Sequence, residues 1–246
     1  MSLDLKHAAF DTVPAARETP LLIFGDHASR AIPPRYKDLG LSGDDLTRHI
    51  AHDIGTDRVI RRLCARSGAA GHICGFSRLL IDANRDPNAP GLIPASSDGT
   101  AIPGNQDLSE MERAVRLAEF YTPYHGGLAA AVQAVRAAHK DPLIVSVHSF
   151  TPRPLTGETR EMDLALLVKE DTQTADKFMT AAAQHLPEFD TRINEPYSAY
   201  DLNYTIDVHA SAARHLAIEI RQDHIETEGK ADSFAVLLGD ILADLF

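Results

Sequence analysis

Apolar residues along this chain follow two rhythms. Short, mostly apolar runs occur at 20–25 (PLLIFG), 70–74, 78–82, 143–147 (LIVSV), 162–168 and 216–220. Runs of that length, rich in Leu, Ile and Val and bounded by polar or turn residues, predict strands buried on both faces. Elsewhere apolar residues recur at helical spacing. Leu46, Ile50, Ile54, Val59, Ile60 and Leu63 predict a helix over 43–67, interrupted near Gly55 and stopped by Ser67 and Gly68. Ser109 and Glu112 form a capping-box pattern that opens a further helix, which Pro123 should kink or divide. Thr172 to Leu186 and Gly229 to Phe246 read as two more helices. The stretches 88–105 and 194–204 have no periodicity and are expected to be loops, the first long enough to suggest a functional one.

Strands alternating with helices predict an α/β fold: a three-layer sandwich with a mostly parallel or mixed central sheet and helices on both faces. No repeat or linker divides the 246 residues, so 1–246 is read as one domain. Composition adds exclusions. No segment approaches the uninterrupted apolar length of a membrane span, and a formal net charge of −11 repels phosphate backbones. Neither a membrane nor a nucleic acid is an expected partner. The first twenty residues show neither a secretory nor a transit pattern, which makes cytoplasm the default expectation. Cys64 and Cys74 are read as buried, reduced thiols. The oligomeric state stays open.

Chemistry concentrates where strands end. The first run delivers Asp26 and His27, the segment after 78–82 carries Asn84 and Arg85, and 143–147 delivers His148. Ligands bind at such carboxyl ends in open α/β sheets. Glu219 lies among Leu216, Ile218 and Ile220, where an ionised carboxylate is costly unless it faces a cation, a metal or a polar cavity. Two imidazoles, a carboxylate ligand and a separate buried glutamate are the set that a mononuclear metal hydrolase uses. Each residue also has a plain structural reading: Asn84 as a turn residue, Arg85 paired with Asp82 or Asp86, Asp53 and Asp57 as solvated helix charges, and His49 and His52 at the surface or behind the site. No H-E-x-x-H or paired C-x-x-C is present, so spacing alone is not diagnostic.

In order along the chain, DHASRAIP (26–33), HDIGTD (52–57), SRLLIDANRDP (77–87), PYH (123–125), VHSFTP (147–152) and IEIRQD (218–223) resemble the N-formylglutamate amidohydrolase family. That family is similar to zinc carboxypeptidases and aspartoacylase, so the resemblance implies a zinc-carboxypeptidase-like fold and one divalent metal ion, zinc in the first instance. By ligand type, manganese, iron or cobalt would also suit. The resemblance implies His27 and His148 as metal ligands, Glu219 as general base and then acid, and Arg78 as a catalytic residue, a further substrate or oxyanion contact. It implies Asn84 and Arg85 as binders of the substrate carboxylate; His125, after Pro123 at a helix break, is a candidate for a substrate contact or a structural hydrogen bond, and Asn105, on a presumed loop where binding roles are common, is a further candidate substrate contact. The third ligand is open among Asp53, Asp26 and Asp57, Asp53 being preferred for its place in an acidic helical segment. The implied substrate is a small anionic N-acyl amino acid such as N-formylglutamate.

One departure motivates a rival. Where the carboxypeptidase pattern has a glutamate three residues after its first histidine, this chain has Arg30. A non-catalytic anion-binding protein on the same fold is therefore the alternative, and a hydrolase of another N-acyl amino acid or small peptide is a third.

Overall fold

The computed structural model describes residues 8–246; the first seven, which the leader and domain expectations include, lie outside the described residues. Its elements are β1 Phe10–Val13, β2 Leu21–Gly25, α1 Thr56–Ser67, β3 Ala70–Cys74, the short β4 Ser96–Ser97 and β5 Thr100–Ala101, α2 Glu110–Arg116, α3 Thr122–Ala138, β6 Leu143–Phe150, β7 Leu164–Leu167, α4 Thr172–His185, β8 Thr191–Ile193, α5 Tyr204–His209, β9 Arg214–Arg221 and α6 Glu228–Ala243. Seven strands make one sheet in the order β1-β3-β2-β6-β9-β7-β8. The central β3, β2, β6 and β9 are parallel, while β1 and β7 add antiparallel neighbours at either side. The sheet is therefore mixed.

Alternation along each strand builds the layers. Leu21 and Ile23 of β2, Leu143, Val145 and Val147 of β6, and Leu216, Ile218 and Ile220 of β9 share one apolar cluster with α1, α4 and α6. One residue out of step, Leu22, Phe24, Ile144 and Ala217 pack with Tyr124, Leu128 and Val132 of α3 and Ile206 of α5. Each fully buried Leu, Ile or Phe contributes about 1.5–3 kcal/mol of transfer free energy, enough for the strand runs to dominate local propensity. No described helix is long and apolar enough to cross a membrane.

Several expectations are corrected. Residues 78–82 form no strand. Leu79, Leu80 and Ile81 are buried by the second cluster, but their backbone turns, with Leu80 N–H donating to Ser77 O (2.9 Å) and Asp82 N–H to Leu92 O (2.7 Å). Their apolarity marks burial rather than pairing. The helix expected over 43–67 is only α1. Before it, Asp53 N–H donates to His27 O at 2.8 Å, and Gly55 sits at φ +86°, where a Cβ would stand 2.2 Å from the Ile225 carbonyl oxygen. β1 and β8 were not anticipated because these edge strands are half-exposed and lack apolar runs. The loop 88–105 contains the β4–β5 hairpin, and α5 begins at Tyr204 where only loop was expected.

Ser109 caps α2 as expected, accepting from Glu112 N–H at 3.1 Å, although the Glu112 carboxylate turns to Arg116 instead of back to the cap. Pro123 does not break the helix. The helix runs on through a π turn over Leu117–Tyr121, where Thr122 N–H reaches back to Leu117 O, and that widened turn accommodates Pro123, which has no N–H to offer. Cys64 and Cys74 are free and buried, and burial pushes the Cys64 thiol up to about 12.

Candidate functional site

β6 and β9 run side by side with His148 opposite Glu219, both on the face where Ile144 and Ala217 point. β2 flanks β6 on its other side, and the chain leaving β2 passes through Asp26 and His27. The segment before α1 is drawn in by the Asp53–His27 backbone bond and by Ser149 Oγ donating to Ile54 O at 2.9 Å. These ties bring together residues far apart in sequence. His27 Nδ1 lies 3.5 Å and His148 Nδ1 2.9 Å from Asp53 Oδ2, and the two imidazole centroids are 5.3 Å apart. One ligand atom each from His27, Asp53 and His148 fits within a group spanning 4.8 Å, and all three residues are buried.

The outer sides of these rings are also engaged. His27 Nε2 is 2.7 Å from Asp82 Oδ1, and His148 Nε2 is 3.4 Å from Asp26 Oδ2. Arg78 reaches Asp82 Oδ2 at 3.1 Å and Asp53 Oδ1 at 3.4 Å, and Arg85 Nε stands 3.7 Å from Asp82 Oδ2. Burial and the Arg78 charge oppose protonation of His27, but Asp82 and Asp53 outweigh them and raise its pKa. Burial likewise opposes protonation of His148, yet hydrogen bonds to Asp26 and Asp53 and the charges around it carry its pKa well up. Burial works to raise Asp53, while the two imidazoles pull it far below the usual carboxylate range. Glu219 behaves differently: burial, helped by the Asp53 charge, raises it to about 7 against the pull of His148, Arg78 and His27.

A divalent cation fits this donor set. With a cation in place of its second proton, His27 would donate Nε2–H to Asp82 and turn the lone pair of Nδ1 toward Asp53; among the described residues that buried nitrogen has no hydrogen-bond partner. His148 places Nδ1 against the same carboxylate oxygen. Acceptors converging at these distances repel unless a proton or a cation stands among them, and two imidazoles with one carboxylate are a common zinc set. The carboxylate behind His27 is the kind of outer partner that orients a metal-binding imidazole.

A cavity of about 110 Å³ opens onto this group, lined by His27, His49, Asp53, Arg78, Asn84, Arg85, His148, Ser149, Tyr197, Leu202 and Glu219. A wider groove of about 590 Å³ lies at the other end of β6 and β9, lined by Arg136, Lys140, Asp141, Asp171 and Arg214 among others. Its charges are set against each other, as in Arg214–Asp141 at 3.3 Å, and it gathers no metal-ligand group among the described residues. The chemistry therefore belongs to the smaller cavity.

The family model described as N-formylglutamate amidohydrolase matches residues 19–226. The chain belongs to the N-formylglutamate amidohydrolase family. Among solved structures, the gene product Atu2144 from Agrobacterium tumefaciens is 34% identical over 96% of this chain and 94% of its own, with a TM-score of 0.90. An N-formylglutamate amidohydrolase from Ralstonia eutropha JMP134 aligns over 96% of this chain and 95% of its own, with 20% identity and a TM-score of 0.65, a likeness of fold. Among curated proteins none matches.

Of the residues singled out from sequence, His27, Asp53, Arg78, Asn84, Arg85, His148 and Glu219 all reach the family member's cavity. Asp53 does so from the turn before α1, not from a helix as expected. Asp57, in the first turn of α1, pairs with Arg61 at the surface, and Arg30 is exposed. Two expected substrate contacts lie elsewhere. Asn105 is buried with its amide donating to Leu79 O and Pro94 O, both at 2.8 Å, and accepting from Arg116 at 2.7 Å. Those bonds hold the loop. His125 stands behind Asn84, with Nε2 2.9 Å from Ala83 O and Nδ1 2.8 Å from His209 Nε2.

Sequence reasoning passed over Asp82 as a partner of His27, although a carboxylate closing the buried run Leu79–Ile81 is the same signal that exposed Glu219. His49, expected at the surface or behind the site, lines the cavity, and burial lowers it to about 4, so it is neutral near pH 7. Tyr197 and Leu202 carried no sequence signal beyond membership of the 194–204 loop.

Proposed function

We propose that this chain hydrolyses the amide bond of an N-formyl amino acid, N-formylglutamate being the substrate that names its family, with one divalent cation, zinc by ligand type. His27 Nδ1, His148 Nδ1 and an oxygen of Asp53 would hold the ion. The observation that carries the reading is this convergence of three buried acceptors with Glu219 opposite His148 in the strand register, facing the same cavity.

When bound, the cation supplies Lewis acidity, acidifying water and polarising the scissile carbonyl. Glu219 takes the proton of the attacking water and delivers it to the departing nitrogen, and a pKa of about 7 suits a group that must do both. Its second oxygen is buried without a hydrogen-bond partner and so is available for that transfer. Asn84 accepts from Thr205 through Oδ1, which leaves its amide N–H groups for a substrate carboxylate. Arg85, with only its long contact to Asp82, supplies the matching cation. Arg78 balances Asp53 and Asp82 and keeps an edge on the cavity, from which it would donate to the carbonyl oxygen as charge develops.

The non-catalytic alternative drew its motive from Arg30. Asp53 offers a carboxylate from a different segment, and its place beside His27 and His148 supports the metal-binding reading despite Arg30. The deciding experiment measures metal content by mass spectrometry together with turnover of N-formylglutamate and a panel of N-acyl amino acids, before and after chelation. One divalent ion per chain, with N-formyl cleavage lost on chelation and restored by zinc, is expected. Protein that takes up no divalent metal in any preparation, or that cleaves none of the panel, would sink the proposal.

A further inference from the structure

We infer that Asp26 and Tyr124 are positioning residues for His148, holding its ring from the Nε2 side with Nδ1 turned to the cation site. The inference rests on the metal reading above. The two nitrogens of His148 point in opposite directions: Nδ1 toward Asp53 Oδ2 at 2.9 Å, Nε2 toward Asp26 Oδ2 at 3.4 Å. The imidazole ring thus stands between Asp26 and the His27, Asp53 and His148 group, to which Asp26 contributes no ligand atom. When a cation stands between Nδ1 and Asp53, the hydrogen of His148 is left on Nε2 facing the buried Asp26 carboxylate, whose negative charge makes Nδ1 a stronger donor.

Asp26 is itself held. Tyr124 Oη donates to its other oxygen at 2.6 Å, and Asp26 Oδ2 has no hydrogen-bond partner besides its approach to His148. Tyr124 is fully buried on α3; its ring packs edge-on to Phe76 at 6.3 Å and its carbonyl accepts from His72 Nε2 at 3.0 Å. The π turn over Leu117–Tyr121 sets the facing of that helix. Beyond it, Tyr124 and His125 meet Asp26 and the Ala83 carbonyl, and Tyr121 Oη donates to Arg85 O at 2.7 Å. His148 is oriented differently from His27. The carboxylate behind His27 is also bound by Arg78, which partly cancels its charge, whereas the one behind His148 is bound by a neutral phenol.

Asp26→Asn keeps the shape of the side chain but, with its oxygen accepting from Tyr124, turns an amide N–H toward His148 Nε2, where it opposes the hydrogen that cation binding at Nδ1 leaves there. Tyr124→Phe keeps the carboxylate and removes its anchor. The test uses the 246-residue chain, with zinc affinity measured by chelator competition and the hydrogen on His148 Nε2 followed in zinc-loaded protein by its 15N side-chain shift and solvent exchange. Asp26→Asn should weaken zinc binding roughly 10- to 100-fold and speed exchange of the Nε2 hydrogen. Tyr124→Phe should give a smaller loss in affinity and a smaller gain in exchange. If Asp26→Asn does not fold, affinity and Nε2 exchange in Tyr124→Phe carry the test. Wild-type protein binding one zinc per chain, with affinity and exchange unchanged in the variants that fold, overturns this inference alone. Wild-type protein that binds no zinc overturns it together with the reading beneath it.

Discussion

On one face of the sheet, Ile23, Val145, Val147 and Ile218 meet the apolar sides of α1, α4 and α6. On the other, one residue along the same strands, His148 and Glu219 stand where a further pair of apolar side chains would have closed the layer, with Asp26 beyond the end of β2. The first face adds stability through area removed from water. The second gathers desolvated charge that is tolerable only because carboxylates, imidazoles and Arg78 compensate one another. The same strands thus separate the stabilising and reactive tasks by parity, so substitutions on the two faces should move different measurements.

The largest expected effect is on the reactive face. Glu219→Gln should lower turnover of an N-formyl amino acid roughly a thousandfold, about 4 kcal/mol in barrier, while zinc content stays at the wild-type level. Turnover within tenfold of wild type would remove Glu219 from the mechanism. On the opposite face, Leu238→Ala in α6, a site with no exposure, should cost about 3 kcal/mol in urea unfolding. It should leave turnover unchanged at temperatures where the variant is folded. Lost activity without lost stability there would break the division between the faces.

Two pH experiments on metal-free protein sharpen it. The Glu219 pKa is raised from 4.5 to about 7, chiefly by burial, so its contribution to stability is complete below pH 4.5 and is lost as pH rises through 7. Glu219→Gln should therefore be more stable than wild type at pH 8 by roughly 2–3 kcal/mol, with the difference closing near pH 5. An equal gain at both pH values would mean that ionisation is not its source. His72 runs the other way. Burial lowers it from 6.5 to about 4, so its contribution is present above pH 6.5 and is lost as pH falls toward 4. His72→Gln should flatten that arm of the stability profile by about 2 kcal/mol, and an unchanged acid limb would assign it to other groups.

Much of the frame was legible. β2, β6 and β9 stood out because strands covered on both faces are written as runs dominated by Leu, Ile and Val, and β3 as the short run Ala70–Cys74. The same pattern misled at 78–82, where the residues are as deeply buried but the backbone turns. It was silent at β1 and β8, whose edge positions leave half their side chains in water. In the site, His27, His148, Asn84, Arg85 and Glu219 were visible as polar groups where apolar runs end or are interrupted. Asn105 was not readable as a structural residue, since its partners Leu79, Pro94 and Arg116 lie on three separate segments.

Parity within a strand is a local property, and the sequence alone therefore determined that His148 looks the way Ile144 does and Glu219 the way Ala217 does. Which carboxylate meets both imidazoles is not local. Asp53 holds that position because its backbone is bonded to His27 and its neighbour Ile54 to Ser149, while Asp26 is turned to the far side of His148. Only the assembled tertiary structure could choose between them, because each candidate lies on irregular chain whose course is set by distant packing and not by its own residues.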